Sequence, residues 1–187
     1  MRVLAIDFET ANSSPCSACS IGYALWDNGE IIKKEEILIK PHRQFGHFDW
    51  RNIRIHGIKP QMVKDAQEWP EVYEKIRDCF KNSYVVAHNA PFDMGVLYSI
   101  STLYDVKAEP FEYFDSVLLS RVIHPSLANH KLNTVCEYLN VDLNHHHAGS
   151  DALGCLAIVM DAMDIAGIYD PEELVRAYNI GCSHFEV

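Results

Sequence analysis

The sequence predicts an α/β fold in which one mixed sheet is covered by helices on both faces. The first observation behind this prediction is an apolar, β-branched run from Arg2 to Thr10, which is typical of a buried strand. The second is Asn28-Gly29, a two-residue turn that favours a hairpin between the next two strands. The third is the alternation of helical and strand patterns from Pro70 onward, which indicates a mixed sheet.

Five strands and seven helices are predicted along the chain. Strands are predicted at residues 2–10, 20–26, 30–39, 84–88 and 112–114. Helices are predicted at residues 57–66, 70–80, 91–104, 116–123, 131–139, 150–166 and 171–178. Residues 41–56 are rich in aromatic side chains and are predicted to be irregular. The 187 residues are predicted to form a single domain, because no linker or internal repeat interrupts these elements.

Composition and charge exclude several classes of protein. Apolar residues make up 48% of the chain and no low-complexity tract occurs, which argues against disorder. No membrane-spanning run and no signal-peptide pattern are found, so we expect a cytoplasmic protein. The net charge of −10 argues against a broad groove that grips duplex by counterion release. It is compatible with a small acidic pocket whose charge is offset by bound metal.

Six cysteines are scattered along the chain, and Cys16 and Cys19 have the CxxC spacing of a redox or zinc site. No second CxxC and no Cys/His pair at zinc-finger spacing accompanies them. We therefore expect ordinary reduced cysteines of the kind found in cytosolic proteins.

Asp7 and Glu9 stand at the end of the first predicted strand. Side chains alternate across a strand, so these two acids point from the same face. Two like charges at the end of an apolar strand repel each other and resist burial. We therefore expect either a cation between them or a strand end that is open to solvent.

Asp93 and Asp151 lie in the first turn of two predicted helices. One explanation is that each acid only complements the positive end of the helix dipole. The helical faces favour a different explanation, because each acid begins an apolar face. These faces contain Val96, Leu97, Ile100 and Tyr104 for Asp93, and Cys155, Ile158, Ala162 and Ile165 for Asp151. Burying such charges without partners is costly, so both acids are expected to meet partners at the sheet.

The four acids come from three elements and converge where a strand ends and two helices begin. No Lys or Arg is evidently placed to neutralise all four. Oxygen ligands of this kind suit hard divalent cations such as Mg²⁺. Two such ions can activate an attacking water and stabilise the leaving oxygen at phosphorus, so the pattern indicates phosphoryl hydrolysis.

Three consecutive histidines, His145 to His147, precede Asp151. One explanation is an exposed tract that resembles a metal-binding sequence without acting as one. Another is that one imidazole, which titrates near neutrality, takes a proton from the attacking water. The chemistry of the tract does not distinguish the three histidines.

Three segments resemble, in family order, the motifs of DEDDh-type 3′–5′ exonucleases. They are Ala5 to Thr10, Val86 to Asp93 and His146 to Ala152. Connecting segments are also similar: Ile55 to Ile58, Phe114 to Ser116 and His130 to Asn133. The resemblance covers about residues 1–167, followed by a short helical extension. Within the family, the sequence is similar to the proofreading (epsilon) subunit of bacterial DNA polymerase III and its stand-alone relatives.

The resemblance implies a ribonuclease-H-like fold, with a central five-stranded mixed sheet flanked by helices. It also implies two divalent cations, Mg²⁺ or Mn²⁺, with Asp7 bridging them. The remaining implied ligands are Glu9, Asp93 and Asp151.

The resemblance further selects His146 as the general base, because that position lies five residues before the last acid. His145 and His147 are then ordinary loop residues. Four more positions match those that hold the terminal nucleotide in the family: Thr10, Ala11, Asn89 and Phe92.

The function implied is hydrolysis at the 3′ end of single-stranded or frayed DNA, with release of nucleoside 5′-monophosphates in proofreading or repair. DNA is favoured over RNA, and 3′–5′ exoribonuclease activity is the alternative. A DNA polymerase or repair complex is the expected partner. About twenty residues follow the third-motif helix, so a stand-alone nuclease is an equal expectation to a replisome subunit. An inactive nucleic-acid-binding or scaffolding module is the alternative of another class.

Overall fold

A computed structural model describes all residues from Met1 to Val187. One six-stranded sheet runs through the molecule in the order β3-β2-β1-β4-β5-β6. Its strands are β1 (Arg2–Thr10), β2 (Ala18–Asp27), β3 (Glu30–Leu38), β4 (Ser83–Ala87), β5 (Phe111–Asp115) and β6 (Ser183–Phe185). The predicted α/β class and the mixed sheet are confirmed.

The first three strands pair antiparallel, and β1 also pairs parallel with β4, which places β1 at the centre. The turn between β2 and β3 has positive φ at both central residues, Asn28 and Gly29. This is the backbone that a tight hairpin turn requires, and it confirms the predicted hairpin.

The sheet has one strand more than the five that were expected. The additional strand, β6, pairs antiparallel with β5 at the edge of the sheet. Phe185 of β6 stacks on Phe111 of β5 with ring centroids 4.7 Å apart. Three residues that include only one buried side chain carry no periodicity, so the sequence did not indicate this strand.

Eight α-helices connect and cover the strands. They are α1 (Trp50–His56), α2 (Pro60–Val63), α3 (Trp69–Phe80), α4 (Ala90–Leu103), α5 (Ser116–Ile123), α6 (Leu132–Tyr138), α7 (Ala148–Ala166) and α8 (Pro171–Ala177). The first of them was wrongly predicted to be irregular. Its seven residues include none that is buried, so no apolar stripe marked it. Asp49 caps it by accepting a hydrogen bond from the Arg51 N–H.

Two apolar cores lie on opposite faces of the sheet, because successive side chains of β1 point to opposite sides. Leu4, Ile6 and Phe8 belong to the larger core, which also contains side chains of α3 and α4. Val3 and Ala5 belong to the smaller core, which contains side chains of α7 and α8. The predicted helical covering of both faces is therefore confirmed.

The six cysteines are all free, as expected. Ile165, which was predicted on the buried face of α7, is 57% exposed, so the buried stripe of that helix does not include it. No single helix combines the length and the apolar composition needed to cross a membrane. Only α7 and α8 together, as a pair bent by 72°, meet that criterion.

Candidate active site

Three of the four predicted acids meet at the end of β1. One carboxylate oxygen from each of Asp7, Glu9 and Asp151 lies within 4.8 Å of the others. The alternation of side chains along β1 explains why Asp7 and Glu9 share a face. Asp151 reaches the same point from the first turn of α7.

The fourth acid, Asp93, approaches from the opposite side of the sheet. It lies in the first turn of α4 and is 1% exposed. Its Oδ1 accepts a hydrogen bond of 2.8 Å from the backbone N–H of Phe8, the residue between Asp7 and Glu9. The start of α4 is thus fixed to the acidic end of β1.

A glycine allows α7 to bring its acid this close to the sheet. Gly22 of β2 pairs with Asp7 of β1. A Cβ atom on Gly22 would lie 1.9 Å from both the carbonyl carbon and the carbonyl oxygen of Ala148, the first residue of α7. Only the absence of a side chain at Gly22 permits this backbone contact.

Burial and nearby negative charges raise the pKa values of three of these acids, Asp7, Glu9 and Asp93. Desolvation raises the pKa of Glu9 to about 8, with further contributions from the charges of Asp151 and Asp93. Desolvation likewise raises the pKa of Asp93 to about 8, although the Phe8 N–H opposes the rise. The pKa of Asp7 is raised well above its ordinary value by burial and by the neighbouring acids.

No Lys or Arg forms an ion pair with any of these four acids. The site therefore concentrates negative charge that the protein's own cations do not offset. All the donors are carboxylate oxygens, which is the ligand chemistry that hard divalent cations prefer. The residues present fit the expected pair of cations.

Two of the three histidines lie at this site. The backbone N–H of His146 donates to Oδ2 of Asp151 over 2.9 Å, and Nδ1 of His145 lies 3.2 Å from Oδ1 of the same carboxylate. The rings of His145 and His146 stack, with centroids 3.8 Å apart. His147 instead pairs with Glu36 and is largely exposed.

The positions of His145 and His146 bear on the roles that were predicted for these two residues. His145 was assigned an ordinary loop role, but it contacts Asp151, because the left-handed backbone of His146 (φ 67°) folds the loop back over the start of α7. The pKa of His146 is lowered, chiefly by desolvation and next by the charge of His145. A lowered pKa favours the neutral ring, which is the form that can accept a proton.

A cavity of about 370 Å³ opens over the acids. Among its lining residues are Asp7, Glu9, Asp151, His145 and His146. Two predicted nucleotide-binding residues, Asn89 and Phe92, also line it, and Phe92 is 46% exposed.

The other two predicted nucleotide-binding residues do not line the cavity. The side chain of Ala11 is fully buried, and its backbone N–H and C=O are bonded to Ser17 and Asp49. Thr10 is 6% exposed, and its carbonyl accepts a hydrogen bond from Asn52. Internal hydrogen bonds therefore occupy both carbonyls and the Ala11 N–H, and the assignment of Thr10 and Ala11 to the terminal nucleotide stays a prediction.

Besides His145, the prediction missed three polar residues on the cavity wall: His88, His130 and Lys131. Nδ1 of His88 lies 2.8 Å from the Ser116 hydroxyl, and its Nε2 lies 2.9 Å from the carbonyl of His130. His88 thus ties the end of β4 to the loop that precedes α6. His88 lies inside the second motif, and this position could have identified it from the sequence as a residue of the site.

A family model for exonucleases, RNase_T, matches residues 4–159, which include all four acids and the histidine tract. The chain belongs to this exonuclease family. The predicted resemblance to DEDDh-type exonucleases is confirmed.

Relatives of this exonuclease chain include PolC-type DNA polymerase III proteins. That of Bacillus subtilis (strain 168) is 35% identical over 120 residues, which cover 64% of this chain and 8% of the polymerase. That of Listeria monocytogenes is 35% identical over 150 residues, covering 75% of this chain and 10% of the polymerase. The chain therefore spans about a tenth of the length of these relatives.

Solved exonuclease structures share the fold. Exonuclease X in complex with 5′-overhanging duplex DNA superposes with a TM-score of 0.73 at 21% identity, covering 94% of this chain and 99% of that one. The nuclease domain of 3′hExo, a DEDDh family member bound to rAMP, superposes with a TM-score of 0.71 at 19% identity, covering 89% and 92%. The likeness confirms the mixed sheet flanked by helices that the ribonuclease-H-like prediction required.

Proposed function

We propose that the chain hydrolyses the terminal phosphodiester bond at the 3′ end of single-stranded or frayed DNA, releasing nucleoside 5′-monophosphates in proofreading or repair. The observation that supports this most directly is the meeting of the Asp7, Glu9 and Asp151 oxygens within 4.8 Å on the wall of an open cavity. The direction of cleavage and the use of two cations rest on the family resemblance.

Asp7, Glu9, Asp93 and Asp151 would hold the divalent cations. When bound, such ions promote attack of water on phosphorus and stabilise the oxygen that leaves. The protein contributes a rigid frame, because β1, α4 and α7 each hold one side of the cluster. The hydrogen bond from Phe8 to Asp93 and that from His146 to Asp151 fix two of the carboxylates.

His146 is proposed to accept the proton of the attacking water. Its ring lies on the cavity wall, and its own backbone N–H is bonded to the last acid of the cluster. Asn89 and Phe92 are proposed to contact the terminal nucleotide, because both line the same cavity. Since the terminal base must leave its stack to enter, single-stranded or frayed ends are the expected substrates.

DNA is the proposed substrate because the curated relatives are DNA polymerases. A 3′–5′ exoribonuclease is the second candidate, supported by the structural likeness to a nuclease domain bound to rAMP. An inactive binding module is disfavoured, because all four acids and His146 are present and placed together. Association with a DNA polymerase or repair complex is proposed on the basis of the PolC-type relatives.

The proposal is tested by a time course on 3′-labelled and 5′-labelled single-stranded DNA and RNA of matched sequence. Reactions contain Mg²⁺, Mn²⁺ or EDTA. We expect a labelled mononucleotide as the first product of 3′-labelled DNA and a shortening ladder from 5′-labelled DNA, with no cleavage in EDTA. Faster cleavage of RNA would select the second candidate. Cleavage by an Asp7→Asn variant at the wild-type rate would exclude the proposed site.

A further inference from the structure

The positive charge of this acidic protein is concentrated in one short stretch, residues 40–64, here called the basic segment. It holds six of the sixteen Lys and Arg residues and only one of the twenty-six Asp and Glu residues. The basic segment is therefore a local excess of positive charge that suits a phosphate-bearing ligand.

The basic segment is fixed to the strand that carries the acids. The carbonyl oxygen of Thr10 accepts a hydrogen bond of 2.9 Å from Nδ2 of Asn52 and lies 3.1 Å from Nε2 of His56. The N–H of Asp49 donates to the carbonyl of Ala11 over 2.8 Å. Through these bonds, α1 lies beside the end of β1, next to Glu9.

The outer face of α1 has no partner in the fold. None of its residues is buried, although Asn52 and His56 contact the carbonyl oxygen of Thr10 in β1. Trp50 is 64% exposed, whereas the other two tryptophans, Trp26 and Trp69, are 4% and 0% exposed. The guanidinium of Arg51 lies over the Trp50 ring, 5.6 Å from its centroid.

We propose that the outer face of α1 binds the unpaired strand that leads away from the cavity, with Trp50 stacking on a base and Arg51 and Arg54 contacting phosphates. An exposed aromatic ring beside arginines is the combination that binds single strands without sequence preference. This inference rests on the proposed function only in placing the 3′ end of the strand in the cavity.

A nucleic-acid strand fits this face better than a protein partner does. The basic segment is cationic, whereas the chain as a whole has a net charge of −10. The segment therefore complements a polyanion, and little of the remaining chain does. An apolar protein interface would favour a wider aliphatic patch and fewer charges at its centre. One stacked base and two phosphates match the three side chains available.

The first test measures binding of a dT12 oligonucleotide whose 3′-terminal linkages are phosphorothioates, which slow cleavage. Fluorescence anisotropy with Mg²⁺ present gives Kd, and intrinsic fluorescence reports Trp50, the one exposed tryptophan. We expect quenching on binding and about tenfold weaker binding for Trp50→Ala, with most affinity regained in Trp50→Phe. A wild-type Kd for Trp50→Ala, or quenching that is absent, overturns the stacking role.

The second test separates phosphate contacts from stacking. The double variant R51Q/R54Q is expected to reduce the slope of log K against log salt by about 1.4, since each single-strand phosphate contact contributes about 0.7. The matched control is Arg176→Gln, which removes one positive charge from an exposed arginine on α8, whereas the double variant removes two. If R176Q and R51Q/R54Q reduced the salt slope equally per charge removed, the effect would come from the overall charge of the protein. The assigned phosphate contacts would then be overturned.

Cleavage assays distinguish failure of this inference from failure of the proposed function. The ratio of kcat/KM for dT12 to that for dinucleotide dTdT is expected to fall about tenfold in Trp50→Ala. Cleavage of both substrates with an unchanged ratio leaves the nuclease function standing and rejects the α1 site. If binding depends on Trp50 but no metal supports cleavage, the proposed nuclease function is rejected and the α1 binding site is retained.

Discussion

The backbone N–H of Phe8 and the carboxylate of Asp93 form a buried hydrogen bond of 2.8 Å. Phe8 lies between the two acids of β1, so this bond ties the first motif directly to the second. It also opposes the rise in the Asp93 pKa that burial causes. The bond therefore serves both the position and the charge of the site.

Replacing Asp93 by Asn is expected to abolish cleavage while raising the thermal stability of the metal-free protein at pH 8. Asparagine keeps an oxygen that accepts from Phe8 but removes a charge whose burial is unfavourable. Activity and Tm in EDTA, each at pH 8, check this. Asp93→Ala is the contrasting variant, because it leaves the Phe8 N–H unpaired and should cost about 1–3 kcal/mol. A lower Tm for Asn than for Ala would contradict the argument.

The stability of the metal-free protein is expected to fall as the pH rises from about 4.5 to about 8, because the folded pKa of Glu9 is raised from 4.5 to about 8. Between these two pH values the folded state binds more protons than the unfolded state does, so raising the pH favours unfolding. Asp93 acts in the same direction. Divalent cations should reverse the trend, because they favour the ionised acids.

Thermal unfolding at pH 5.5, 7 and 8.5, in EDTA or in Mg²⁺, checks this dependence. We expect the increase in Tm caused by Mg²⁺ to be largest at pH 8.5. An increase that is the same at all three pH values would show that the cation binds elsewhere. Asp7→Asn, which removes a proposed metal ligand, should lose most of the increase.

His146→Ala is expected to lower kcat by about 10²–10⁴-fold, the usual contribution of a general base. Its effect on metal affinity should be much smaller. His147→Ala is the matched control, because His147 is an exposed residue that pairs with Glu36 outside the cavity. Single-turnover rates and Mg²⁺ titrations of both variants provide the measurements.

His145→Ala decides between the two stacked histidines. If His146 is the base, the His145 variant should lose activity only through a less firmly held Asp151 carboxylate. A loss as large as that of His146→Ala, with metal affinity retained, would transfer the role to His145. If His145→Ala lowered the cleavage rate and the metal affinity in parallel, His145 would instead be a metal ligand.

Gly22→Ala is expected to impair metal binding and cleavage severely, because the new methyl group would overlap the Ala148 carbonyl that now lies 1.9 Å from its position. Either α7 moves, taking Asp151 with it, or the domain unfolds. Gly95→Ala is the control: its Cβ meets no atom within 4 Å, and it lies inside α4. That variant should gain about 0.5–1 kcal/mol. Mg²⁺ titration and chemical denaturation report both effects, and a near-native Gly22→Ala protein would contradict the close contact.

Much of the fold could be predicted because it follows from local patterns. The β1 run, the Asn28-Gly29 turn and the helices with apolar stripes were recognised from alternation, turn chemistry and helical period. The failures lie where such signals are absent. Helix α1 buries none of its residues, and β6 has three residues held by one aromatic stack.

The site was predicted to a similar extent and for similar reasons. The four acids could be recognised from the sequence, because a charge at the start of an apolar face or at the end of a buried strand is unfavourable without a partner. Thr10 and Ala11 do not line the cavity, and their assignment to substrate stays a prediction. Which backbone groups are free depends on contacts with residues far along the chain, here Asn52 and Asp49.

By itself, the sequence determined the α/β class, the four acids and the exonuclease resemblance, because periodicity, charge and motif order are properties of the chain. Only the tertiary structure decided which histidines lie on the cavity, since the loop backbone directs His145 and His146 inward and His147 outward. It also decided that Gly22 permits α7 to reach the sheet. That close contact depends on the distance between two backbones, which the pattern of side chains along the chain does not specify.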